Sequence, residues 1–337
     1  MRELPTIEDP VPVLELSKAE ITELSEETRA LAAEHDAVIL AHNYQVPEVQ
    51  DVADYVGDSL GLSRQAAEAD AAVIAFCGVH FMAETASILS PEKTVLLPDL
   101  EAGCSLSDSI AANELRNWKS RHSPDAVVVM YVNTSAEVKA ETDYCCTSSN
   151  AVQVVEHILG EHGPDTEILF GPDIWLGAHV ERLTGKRMHL WPGECHVHAG
   201  ISAEDVAGLW QEHPSAELLI HPECGFGGKP LESVAGGAVE GQQAHLLSTG
   251  QMLDHVEATQ DGEVIVATET GMLHPLRKAA PRARLLDANP KAVCKYMKMI
   301  TLPKLRDALH DMKFEVRVPA EVAENARIPI ERMVAIG

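Results

Sequence analysis

The chain is short of positive charge. Its 337 residues hold 26 Lys and Arg against 52 Asp and Glu, a formal net charge of −26. Phosphate contacts need clustered cations, so this balance argues against nucleic acid and anionic membrane as partners, and any anionic ligand must be held locally. The acid excess itself reads as a solvated surface of the kind salt adaptation produces. No uninterrupted apolar run approaches the roughly 18 residues of a membrane span. The opening stretch MRELPTIEDPVPVLELSK lacks a basic region followed by an apolar one. Both absences predict a soluble, cytoplasmic protein. No long polar tract interrupts a chain that is 45% hydrophobic, and its length exceeds what one core usually organises, so it is expected to fold throughout, into two or three units. Paired CxxC motifs and HExxH are missing as well. Seven cysteines, odd in number and irregular in spacing, favour reduced thiols, metal ligands or catalysis over a disulfide framework.

What the chain does have is one pattern used repeatedly. Short apolar runs end abruptly in polar or glycine-bearing residues and then give way to amphipathic stretches: AVILAHNY, AAVIAFCG, TVLLPD, AVVVMYVN, EILFGPD, ELLIHPE, AHLLST and EVIVATE. Continuous apolar runs alternating with helices indicate parallel strands buried on both faces. Ligands of such sheets collect at the carboxyl ends of the strands. Here those ends carry His42, Asn43 and Tyr44, then Tyr131 and Asn133, then His221 and Glu223.

The pattern divides into three similar thirds without a strict sequence repeat. Each third has a strand end leading into a hydroxyl-rich helix start, GDSLGLSRQAAEA, TSSNAVQVVEHIL and STGQMLDHVEA, which puts forward Ser59, Ser148 and Thr249 as binding groups. Serine, threonine and aspartate are also ordinary N-caps. Three such starts in a cation-poor protein nevertheless offer carboxylate or phosphate a place at helix N-termini. Each third also ends in a cysteine outside the apolar strands: Cys104 in EAGCSL, Cys195 in PGECHVH and Cys294 in PKAVCKYM, at intervals of 91 and 99 residues. Packed around a pseudo-threefold axis, three equivalent thiolates are the ligand set of a 4Fe-4S cluster with one iron left open. Electron-transfer clusters use four protein ligands, so an open iron points to Lewis-acid chemistry. Buried free cysteines are also common, and three scattered ones need not meet.

At these residues the chain resembles the quinolinate synthase family. The segments AHNYQVPEVQDVADYVGDSLGLSRQA, FCGVHFMAETASIL, LPDLEAGCSLSDS, YVNTSAEVKAETDYCCTSSNAV, FGPDIWLG, HPEC, STGQM, ATETGMLHPL and CKYMKMI look like that family's, in its order, from about residue 37 to the C-terminal helix. The resemblance implies an α/β protein of three pseudo-threefold-related, three-layer αβα domains with short parallel sheets and the site at their central junction. The corresponding boundaries are an N-terminal helical segment, 1–36, on the first domain; domains at 37–119, 120–205 and 206–300; and a C-terminal segment, 301–337, returning to the first. It implies an oxygen-sensitive 4Fe-4S cluster on Cys104, Cys195 and Cys294. It implies condensation of iminoaspartate with dihydroxyacetone phosphate to quinolinate, phosphate and two waters in de novo NAD biosynthesis.

By the same resemblance His42, Tyr44, Tyr131 and Asn133 line the active site, and Ser59, Ser148, His221 and Thr249 hold substrate carboxylates or phosphate. Glu223 and His198 serve proton transfer, with Tyr44 and Tyr131 as further catalytic groups. An aspartate-oxidising enzyme is the implied metabolic supplier, and a homodimer is compatible with the reading. Of the other cysteines, Cys77 reads as core, Cys145 and Cys146 as neighbours facing opposite ways, and Cys224 as the rival ligand. The stretch GFGGKPLESVAGGAVEGQ after Cys224 reads as a glycine-rich insertion of the family's long-loop variety. Two competing readings are a zinc-dependent hydrolase, suggested by CHVH, and a non-catalytic anion-binding α/β protein.

Overall fold

The computed structural model describes residues 14–225 and 244–337. The first 13 residues of the N-terminal segment and residues 226–243, which take in all but the first residue of the glycine-rich insertion, lie outside the described residues. The apolar runs become three sheets of four short strands, every pairing parallel. The first holds β1 (Ala37–His42), β2 (Tyr55–Gly57), β3 (Val73–Cys77) and β4 (Thr94–Leu96). The second holds β5 (Val127–Tyr131), β6 (Tyr144–Cys146), β7 (Ile168–Gly171) and β8 (His189–Leu190). The third holds β9 (Glu217–Ile220), β10 (Ala244–Leu246), β11 (Glu263–Ala267) and β12 (Arg284–Asp287). Their spatial orders are identical, β2-β1-β3-β4, β6-β5-β7-β8 and β10-β9-β11-β12, so the expected three αβα domains are present.

The inner strands read VIAFC and VVVMY because both faces are covered: every residue of β3 and β5 is buried. In each unit one helix precedes the third strand and another follows it. These are Ser59–Glu68 and His80–Leu89, then Ala151–His162 and Ile174–Thr184, then Thr249–Thr259 and Leu273–Ala279. A repeat hidden in the sequence surfaces here. Asp54 and Asp143, each before a tyrosine that opens the second strand, accept the amides of Ile39 and Val128 at 2.8 Å and so lock the second strand to the first in the same register.

Two C-terminal helices tie the units together. Leu302–Asp311 lies on Lys18–Glu34, where Arg306 meets Glu27 at 2.7 Å. Ala320–Ala335 sits between the first two units. There Arg64 Nη2 donates to the Val334 carbonyl at 2.9 Å, and Asn150 Nδ2 donates to those of Met333 and Ile336 at 2.9 and 2.8 Å. No helix among the described residues is long and apolar enough to cross a membrane.

Candidate active site

The carboxyl ends of the three sheets face one another around a pocket of about 710 Å³. All thirteen residues given a binding, catalytic or ligand role from the sequence line it: His42, Tyr44, Ser59, Cys104, Tyr131, Asn133, Ser148, Cys195, His198, His221, Glu223, Thr249 and Cys294, while Asn43, the other strand-end residue, does not. His42 and Tyr131 close β1 and β5, and His221 follows β9. In each unit the first and third strands are neighbours whose flanking connections diverge, and that is where a parallel sheet opens a crevice.

A hydrogen-bonded chain crosses the pocket. Tyr131 donates its phenol to Glu223 Oε1. Glu223 Oε2 lies 3.1 Å from His198 Nδ1, and His198 Nε2 lies 3.2 Å from the Tyr44 phenol and 3.0 Å from Thr268 Oγ1. The Tyr44 and Thr268 hydroxyls are 2.6 Å apart. His221 stacks on His198 with ring centroids 4.4 Å apart, and its Nε2 is 3.3 Å from the Ser148 hydroxyl. Tyr44, Tyr131, His198, His221 and Glu223 are all buried.

Burial and pairing set the charge states. Burial pushes the His42 imidazole down to about 4 and that of His221 to about 3, so both are neutral near pH 7. It also drives the phenols of Tyr44 and Tyr131 well above their ordinary range. For Glu223 burial acts in the opposite sense to its partners. The facing His198 and the hydrogen bonds from His198 and Tyr131 outweigh desolvation and hold the carboxyl down to about 2.

Neighbours of the three residues put forward from the sequence occupy the cap positions of the helix starts. The caps are Asp58, Asn150 and Ser248, which frees Ser59, Ser148 and Thr249 from capping. Ser148 stands two residues ahead of its helix's cap, and Thr249 Oγ1 receives Asn43 Nδ2 at 3.1 Å. The starts meet directly: Ser149 donates to Asp58 Oδ2 at 2.5 Å and lies 3.2 Å from the Ser248 hydroxyl, one residue from each unit. Asn133 Oδ1 is buried at the pocket wall without a hydrogen-bond partner. An orphaned acceptor of this kind is what a bound donor would satisfy.

At the other end stand the three cysteines. Cys104, Cys195 and Cys294 are half-buried because they border the cavity, and desolvation raises all three thiols, to about 12 for Cys104 and about 11 for Cys294. Each follows the fourth strand of its unit, and each is reached by the same backbone bond. The helical residue after the third strand donates its N–H to the carbonyl two residues before the cysteine: His80 to Ala102 at 2.8 Å, Ile174 to Gly193 at 2.9 Å and Thr270 to Ala292 at 3.0 Å. The three positions are structurally equivalent. Cys77, Cys145, Cys146 and Cys224 are fully buried away from the cavity lining, and the rival, Cys224, donates its thiol to the Ala267 carbonyl at 3.4 Å.

Sequence reasoning missed Thr268, Glu269 and Asp58. The first two follow β11 immediately, so the strand-end rule that picked out His42, Tyr131 and His221 reaches them when applied to each unit's third strand. Glu269 Oε1 accepts Lys298 Nζ at 2.8 Å and the Cys294 amide at 2.9 Å, and Lys298 also donates to the Tyr44 carbonyl. Cys195, His198 and Glu223 bring ligand atoms within 4.8 Å of one another, as do His122, Glu167 and His189 on the second unit's surface and Glu217, His245 and His255 on the third's. In the place of the His122–Glu167–His189 group the third unit carries His213, Glu263 and Arg284, with Glu263 at 3.3 and 2.6 Å from the two. A guanidinium in place of an imidazole marks that motif as an ion-pair network.

Comparison with known proteins converges on one family. A family model described as quinolinate synthetase A protein matches residues 26–335. A curated relative from Mycobacterium tuberculosis named quinolinate synthase is 56% identical over 312 residues, covering 92% of this chain and 88% of the relative. One of the same name from Thermus thermophilus is 55% identical over 314 residues, covering 93% and 97%.

Proposed function

From the chain's membership of the quinolinate synthetase A family, we propose that its central pocket condenses iminoaspartate with dihydroxyacetone phosphate to give quinolinate, phosphate and two waters. The protein is then an enzyme of de novo NAD biosynthesis, and Cys104, Cys195 and Cys294 hold a 4Fe-4S cluster. One observation carries this reading: three equivalent cysteines and an unbroken chain of proton-active side chains share a single buried pocket. The donor set suits a cluster. All three ligands are soft thiols. The three sulfurs do not form one group within 4.8 Å of one another, as a single ion held by all three would require, whereas a polynuclear centre spans a wider triangle of sulfurs. When bound, the cluster supplies an iron without a protein ligand as a Lewis acid toward a substrate oxygen or nitrogen.

The chain's own residues do the rest. Both substrates are anions, and Ser59, Ser148 and Thr249 present hydroxyls freed from capping at helix starts whose dipoles favour negative charge. Asn133 Oδ1 accepts a hydrogen bond from substrate nitrogen or hydroxyl, and His42 and His221, kept neutral, orient carboxylate or phosphate as donors without fixing a positive charge. Proton removal and two dehydrations call for weak acids and bases within reach of one another. Glu223 is the ionised group within the chain, His198 its relay, and the Tyr44 and Tyr131 phenols, neutral at pH 7, are the donors at either end.

Protein purified without oxygen and reconstituted with iron and sulfide is expected to bind four irons and to form quinolinate from dihydroxyacetone phosphate and iminoaspartate generated in place. Zinc as the bound metal, or no product from fully loaded protein, overturns the proposal.

A further inference from the structure

The backbone bond shared by the three cysteine loops also aligns the residue before each donor. These residues are Val79, Asp173 and Glu269, each two positions beyond the end of its third strand. They occupy one place in the threefold arrangement, and two of the three are buried carboxyls. Glu269, 1% exposed, accepts the Cys294 amide at 2.9 Å and the Gly271 amide at 2.6 Å. Asp173 is fully buried, and its Oδ1 accepts the Leu176 amide at 2.7 Å. The Cys195 amide lies close to the same carboxyl, whose Oδ2 has no partner in hydrogen-bond geometry. Gly193, two residues before Cys195, is bridged to Asp173 through the backbone. Capping alone does not account for these acids. A helix start on the surface is capped as well by serine, and a buried carboxyl costs several kcal/mol unless its surroundings use it.

We propose that Asp173 and Glu269 are matched positioning residues that grip the backbones of Cys195 and Cys294, while Cys104, with Val79 in the equivalent place, is left without such a grip. The inference rests on the cluster reading above. By engaging the cysteine amides these acids fix the direction of two of the three ligand side chains. They also turn those amide donors away from sulfur, one of the features that sets a cluster's electronic properties. Through Lys298, Glu269 further fixes the Tyr44 carbonyl, so ligand and proton-active residue are held by one side chain.

The test compares Asp173→Ala and Glu269→Ala with Val79→Ala, which removes packing and no acceptor. Loaded proteins are challenged with an iron chelator without oxygen, and loss of visible absorption is timed. The two acid variants are expected to lose the cluster about 10- to 100-fold faster than wild type, the usual effect of removing a ligand's hydrogen-bond partner, with Val79→Ala close to wild type. Should either alanine variant fail to fold, Asp173→Asn and Glu269→Gln take its place, with faster loss than wild type still expected. Cluster-free protein gives an independent reading by mass-mapped alkylation: Cys195 must react faster in the Asp173 variant and Cys294 in the Glu269 variant, with Cys104 unchanged. Equal lifetimes and an unchanged alkylation pattern overturn the proposal, as does equally fast loss in Val79→Ala. A wild-type protein that takes up no cluster refutes the ligand assignment, and alkylation of the apoproteins then judges the grip alone.

Discussion

Glu223→Gln removes one proton-binding site from the middle of the pocket at nearly constant volume. In the wild type the carboxyl is held down from 4.5 to about 2, which corresponds to roughly 3 kcal/mol of preference for the charged form. An acid with a depressed value contributes that stability above pH 4.5 and loses it as pH falls toward 2. The amide has none of it, and its single carbonyl cannot serve both Tyr131 and His198, so one buried donor is left unpaired. That is the same interaction counted from the other side, about 1–3 kcal/mol, and the two figures do not add. The variant is therefore expected to fold, to melt lower than wild type at pH 7, to keep its iron, and to lose about 10²- to 10⁴-fold in turnover, the range for removal of a general acid or base. Melting curves, iron analysis and quinolinate formation from both substrates read the three quantities. A loaded variant turning over within about threefold of wild type would refute the reasoning and return Glu223 to the role of a buried ion-pair partner.

Tyr44→Phe leaves His198 and Thr268 hydrogen-bonded at 3.0 Å, so fold and cluster should survive while turnover falls by about 10²-fold or more; unaltered kinetics would remove the phenol from proton transfer. Single serine replacements of Cys104, Cys195 or Cys294 should each empty most of the iron site, because hydroxyl is a poor iron ligand and no other thiol lines the pocket. The same change at Cys77, Cys145, Cys146 or Cys224 should cost packing stability only, and iron content across all seven variants decides, with an empty Cys224→Ser site counting against the assignment. His42 and His221 are neutral in the fold at about 4 and 3 but titrate near 6.5 once unfolded. The unfolded chain thus binds more protons below pH 6.5, and stability is lost as pH falls from there toward 4, by up to about 1.4 kcal/mol per pH unit for each imidazole. Melting temperatures that stay level from pH 7.5 to 5 would contradict this.

Much of the site was legible because parallel sheets concentrate chemistry at strand ends, and strand ends show in sequence as the points where apolar runs stop. His42, Tyr131 and His221 were found that way, and the cysteines by their even spacing. What the sequence concealed were contacts between units. Tyr131 meets Glu223 across 92 positions and Tyr44 meets His198 across 154, and no local periodicity encodes such pairs. The helix starts stayed open between binding and capping for a related reason. Ser59, Ser148 and Thr249 each have a neighbour equally able to cap, and only the backbone puts Asp58, Asn150 and Ser248 at the cap positions. The three thirds were visible, but the shared strand register stayed hidden because it is kept by hydrogen bonds such as those of Asp54 and Asp143 and not by a strict sequence repeat.

The helix Ala320–Ala335, wedged between the first and second units and held by Arg64 and Asn150, has a bearing on how the molecule is born. It is synthesised after all three sheets. The three thiols reach their common cavity only when all the units have docked, and this wedge belongs to that docking. A nascent chain, however far its first two sheets have folded, has no complete cavity. On the cluster reading proposed above, metal loading is thereby deferred until this helix has been made, and a chain cut short before it is expected to stay colourless.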